Sequence, residues 1–82
     1  MKTYELNANY DARNSFYGKA KVIEQDNKKT LISYNTEVAT IENGIAKVND
    51  TYSQTTLRHI KEFLLQNGFK ADSKKEIEQN YM

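Results

Sequence analysis

The 82-residue chain has no cysteine, no proline and no tryptophan, and only three glycines. Without cysteine there is no disulfide framework and no thiolate for a metal or for nucleophilic attack. The lack of proline and the scarcity of glycine argue against a flexible, low-complexity tail. Apolar runs are short, such as Val22-Ile23 and Leu64-Leu65. A membrane-spanning helix needs about 20 apolar residues. A signal peptide needs an apolar stretch of about 7–15, and residues 1–30 contain none. The expected location is the cytoplasm. An excess of charge of one sign is missing as well: 12 Lys and Arg face 11 Asp and Glu. Domains that live on phosphate contacts carry a positive excess, because counterion release drives their affinity. The balance lowers the expectation of a nucleic-acid protein without removing it.

What is present is one small domain, residues 1–82. Its hydrophobic content of 38% suffices for one thin core. A domain near this size buries only about 60% of the surface its unfolded chain exposes. Nine Asn, ten Lys, six Ile and six Tyr all draw on AT-rich codons, in keeping with a low-GC genome or its phage.

The pattern changes near residue 50. Before it, Thr, Val, Ile and Tyr alternate with turn residues; after it, apolar residues recur at helical spacing. This predicts an α+β fold: an antiparallel meander of four to five strands (about 3–49), packed against an amphipathic helix at 53–67, with a short helix at 73–80. Tyr4, Leu6, Ala8 and Tyr10 share one parity, which predicts a first strand over 3–10. A second strand is expected at 19–25 and a third from Thr30. Between them lies a polar turn at Asp26-Asn27-Lys28-Lys29 that sets Ile23 opposite Ile32. Asn43-Gly44 is the clearest local signal. A two-residue type I′ turn needs positive φ at both positions. Ala39, Ile41, Ala46 and Val48 then share one face, and Val38 and Ile45 share the other. Ser53 suits a helix N-cap. Leu57, Ile60, Phe63 and Leu64 make the buried stripe, with Arg58 and Glu62 four apart on the outer side. Gly68 suits the left-handed position after the helix. Ser73-Lys74-Lys75-Glu76 fits a capping box, with Ile77 and Tyr81 as anchors. The expected core is Leu6, Val22, Ile23, Ile32, Ala39, Ile41, Val48, Leu57, Ile60, Phe63 and Leu64.

Chemistry is thinly represented. His59 is the only histidine, and the carboxylates are scattered. Neither a metal site nor a calcium loop is expected. No serine sits in a nucleophile elbow, and three isolated glycines cannot cradle a phosphate. No cofactor and no enzyme activity are expected. The most function-like stretch is 52–59. A helix N-terminus presents free N–H groups and a positive dipole end. Ser53, Thr55, Thr56 and Arg58 add donors there, Tyr52 adds a stacking surface, and His59 completes the candidate contacts to a partner or a phosphate. The same residues also have a purely structural reading, as a cap, a first turn and a solvated face. The six tyrosines suit either protein interfaces or half-buried strand positions.

Two runs carry a resemblance. Ser33-Tyr34-Asn35-Thr36-Glu37-Val38-Ala39 leads into Ile41-Glu42-Asn43-Gly44, and Tyr52-Ser53-Gln54-Thr55-Thr56-Leu57-Arg58-His59 continues as Ile60-Lys61-Glu62-Phe63-Leu64. They resemble a family of short proteins from phages and plasmids of low-GC Gram-positive bacteria, and the match extends over roughly 18–78. Members often place an aromatic two-residue unit before the Tyr-Ser, where this chain has Asp50-Thr51. The resemblance implies a mobile-element origin and no assigned activity. By analogy with small proteins of such elements, the expected function is non-catalytic protein binding. This would be an accessory or host-directed modulator, such as an inhibitor of a host defence protein. The alternative is a nucleic-acid-binding module that contacts phosphates through the N-terminus of helix 53–67. It requires Lys19, Lys21, Arg58 and Lys61 to share one surface. Self-association through a sheet edge is compatible with either.

Overall fold

The computed structural model describes residues 1–11, 16, 18–49 and 53–82. Among the described residues five strands precede two helices: β1 (Lys2–Glu5), β2 (Ala20–Gln25), β3 (Lys28–Ser33), β4 (Thr36–Glu42), β5 (Ile45–Val48), α1 (Gln54–Gln66) and α2 (Lys74–Tyr81). The strands form one open antiparallel sheet in chain order. α1 packs against β3 and α2 against β5. This is the expected α+β meander with its helices last.

Tight turns build the meander. Asn43 and Gly44 both have positive φ, 53° and 77°, and they join Glu42 to its partner Ile45 as the Asn-Gly signal requires. A second turn of the same kind lies at Asp26 and Asn27, with φ of 52° and 66°. Asp and Asn are among the non-glycine residues that adopt the left-handed region most readily. Gln25 therefore pairs with Lys28 rather than with Thr30, and β3 starts two residues earlier than expected. Val22 meets Leu31 in the core, while Ile23 faces Thr30 and Ile32 faces Lys21 on the other side of the sheet. Ile23 and Ile32 are half-buried there and are not core residues.

The stretch 30–42 is two strands. Between Ser33 and Thr36 stand only Tyr34 and Asn35. A bulge follows, because the β3–β4 register slips after Leu31: Leu31 pairs with Ala39, but Ile32 pairs with Glu37. The extra residue is Val38. An added residue breaks the alternation of faces, so Val38 and Ala39 are both buried although adjacent, at 1% and 0% exposure. Asn49 holds the bulge, its N–H donating to the Val38 carbonyl (2.9 Å) and its side-chain amide to that of Glu37 (3.1 Å).

The first strand is shorter than its alternation suggests. It stops at Glu5, and Leu6 keeps one ladder bond to the Ala20 carbonyl. Beyond it the chain turns toward α1, where a buried carboxylate takes the N–H groups of Tyr10 and Asp11.

α1 carries both expected caps. Ser53 Oγ accepts from the Thr56 N–H. At the other end Phe69 N–H donates to the Leu64 carbonyl and Gly68 N–H to that of Leu65, with Gly68 at φ +83°. That is the paired bonding of a Schellman stop. Ser73 Oγ accepts from the Glu76 N–H, and the Glu76 carboxylate reaches back to the Asp72 N–H. One contiguous core joins sheet and helices. It includes Leu6, Val22, Leu31, Val38, Ala39, Ile41, Val48, Ile60, Phe63, Leu64 and Ile77, together with Phe16, Ala20 and Ala71. Leu57 packs at its margin.

Candidate functional site

The candidate residues at the start of α1 divide into two groups. Ser53, Thr56 and His59 come together; Thr55 and Arg58 stand outside. Tyr52 lies outside the described residues.

The first group is a polar network closed against β3. Helical spacing puts Thr56 and His59 on one side of α1, one turn apart, and that side faces the sheet where Ser33 ends β3. Ser33 Oγ lies 2.8 Å from His59 Nδ1 and 3.1 Å from Thr56 Oγ1. Ser53 Oγ donates to Thr56 Oγ1 at 3.3 Å and accepts from the Thr56 N–H at 3.2 Å. Ser33, Thr56 and His59 are all buried. Two rings cover the imidazole: Phe16 edge-on at 4.7 Å and Tyr34 tilted at 5.8 Å between centroids. Burial pushes the His59 pKa below its usual range, against an opposing pull from Asp11. His59 is thus a core histidine hydrogen-bonded to Ser33, not part of a solvated face. The Thr56 N–H and hydroxyl are likewise occupied inside the protein.

A serine hydroxyl 2.8 Å from an imidazole has the composition of a nucleophile and its base. A nucleophile must also meet substrate. Ser33 is 2% exposed and His59 1%. The arrangement satisfies buried polar groups and ties α1 to β3.

Tyr34 is the strained residue of the cluster. Its φ is +61°, in the left-handed region that a bulky side chain rarely adopts. The N–H of Asn35 donates to the Ser33 carbonyl (2.9 Å), and the N–H of Tyr34 donates to the Lys19 carbonyl (2.8 Å). The half-exposed ring lies against His59 with the Lys19 ammonium 5.6 Å from its centre.

The second group lies on the other flank of α1. Arg58 does not pair with Glu62, as four-residue spacing suggests. It faces Asp11 at 3.8 Å. Glu62 is buried instead, at 1% exposure. Its Oε1 accepts from the N–H groups of Tyr10 (2.7 Å) and Asp11 (2.9 Å), and its Oε2 from Gln66 Nε2 (2.7 Å). Arg58, Lys61 and Leu65 line a cavity of about 330 Å³ beside this loop. Lys21 is on the opposite side of the molecule, paired with Ile32 on the uncovered face of the sheet. Lys19 sits over Tyr34. The four cations that a phosphate surface requires are therefore dispersed.

Sequence reasoning missed Ser33, Tyr34, Glu62 and Asp11 as members of these networks. Nothing local marks them, because each acts on a residue at least 23 positions away. Among the described residues no group of three or more His, Asp or Glu side chains is set to hold a metal. No helix in them is long and apolar enough to cross a membrane.

Residues 4–79 match the model of a family of unknown function (DUF8033). The chain belongs to this family. The matched span runs from β1 into α2, so the family unit is the entire meander with both helices. No curated protein and no solved structure matches the chain.

Proposed function

We propose that the chain is a small non-catalytic protein-binding module. It would act in the cytoplasm as an accessory or host-directed modulator of the kind that phages and mobile elements carry. The origin is supported by the resemblance of residues 33–44 and 52–64 to such proteins. The binding reading is carried by one observation, the uncovered face of the sheet. Strand register puts Ile23, Thr30 and Thr40 in one row across β2, β3 and β4, with Ile32 in the next row and Ile45 in the third. Ile45 is 70% exposed. Charges of both signs surround this apolar centre: Lys21, Lys28 and Lys47 against Glu5, Glu37 and Glu42. An apolar patch rimmed by polar groups fits a protein surface. The balanced charge offers no field to draw in a polyanion.

The test is capture of partners from lysate of a low-GC Gram-positive host by the immobilised chain, with and without nuclease. The expected result is one stoichiometric protein that survives nuclease and is lost with Ile32→Lys. Recovery of nucleic acid, or of proteins lost on nuclease treatment, overturns the reading.

A further inference from the structure

We infer that the uncovered sheet face also binds a second copy of this chain, face to face, about a two-fold axis running along β3. The inference rests on the reading that this face is a binding surface, and it names the occupant when no other partner is present. The side chains of the face complement one another under that axis. A two-fold makes each contact twice, with residue i on j and j on i. With the axis along β3, β2 of one copy lies over β4 of the other. Lys21, Ile32 and Glu37 occupy one row of the face, on β2, β3 and β4 respectively. The axis then sets Ile32 on its own copy and Lys21 over Glu37, twice. In the adjacent row Thr30 meets Thr30, and Ile23 lies over Thr40, again twice. Ile32 falls on the axis, and the opposite charges flank it. Lys28 of the two copies meet in the other outer row, where each keeps Glu42 as its cross-strand neighbour. Sheets packed face to face turn by about 30°, which displaces the two outer rows, that of Lys21 and Glu37 and that of Lys28, equally about the central Thr30 row. The face supplies about half the residues of a standard interface. The dimer is therefore weak and reversible, and it gives way to a tighter partner.

Sedimentation velocity of the purified full chain tests this. The expected result is a mass rising with concentration from 9.5 kDa toward twice that value, with a Kd of about 10–100 μM. Lys21→Glu and Glu37→Lys should each weaken association at least about tenfold, and the double charge swap should restore it. Circular dichroism of each variant confirms that the fold is intact. A chain that stays monomeric at about 1 mM overturns the second copy as occupant. So does a dimer that the single swaps leave unchanged, or one that the double swap fails to restore. Loss of a captured host protein with Ile32→Lys would in those cases still sustain the binding face. Capture indifferent to Ile32→Lys would remove the face as well.

Discussion

Removing the Glu62 carboxylate should detach the segment that follows β1 from α1. In Glu62→Ala the N–H groups of Tyr10 and Asp11 lose their acceptor together, while the side-chain amide of Gln66 keeps the Asn7 carbonyl. A hydrogen bond to a charged group is worth about 1.5–3 kcal/mol net, and a buried donor left unsatisfied costs about 1–3 kcal/mol. The two backbone bonds are the ones the segment cannot easily replace; Gln66 still has Asn7. The expected loss is about 3–5 kcal/mol, reduced toward the lower end if the segment swings out and hydrates. A domain of this length has only about 4–12 kcal/mol in total. The melting temperature should therefore fall by more than about 12 °C. Glu62→Gln keeps an acceptor for Tyr10 and Asp11 and should lose about 1–1.5 kcal/mol, since neutral bonds replace charge-assisted ones. Equilibrium urea unfolding measures both variants. Amide exchange separates local from global opening: Tyr10 and Asp11 should lose protection in Glu62→Ala before the strands do. An alanine variant within about 1 kcal/mol of the parent, with those two amides still protected, would refute the assignment of Glu62 as the clamp.

Three further outcomes follow from other parts of the structure. Burial pushes the His59 pKa down, so the unfolded chain binds more protons at this site; the stability it contributes is complete above about pH 6.5 and is lost as pH falls from there toward the folded value. The urea midpoint should fall from about pH 7.5 to about pH 5, and His59→Gln should flatten that slope; parallel slopes in parent and variant would remove His59 as its source. Ser33→Ala strips a partner from His59 and Thr56 inside the core and should cost about 1–3 kcal/mol by urea unfolding. Gly44→Ala places a side chain in open space, so only the left-handed backbone penalty remains, about 1–2 kcal/mol in a thermal melt; a neutral result would mean that the turn relaxes to another type.

Local chemistry alone was enough for the elements whose signals lie within a few residues. Asn43-Gly44 specifies its own turn, Ser53 and Ser73 their caps, and Gly68 the stop of α1, because each acts on backbone two to five residues away. The alternation of strands and the helical spacing after residue 53 likewise dictate an α+β meander with the helices last. Tertiary structure decided the rest. The alternation in β1 extends to Tyr10, but the strand ends at Glu5, and the chain beyond it bonds to a carboxylate more than 50 positions on. Val38 became a core residue through a bulge that spacing does not reveal. His59 and Glu62 look like surface residues in a helical pattern. They are buried because Ser33 and the Tyr10–Asp11 backbone satisfy them across the fold. A buried polar group is tolerable only when its partner is in place. Periodicity encodes which face is apolar, and it carries no record of which distant group completes a polar one.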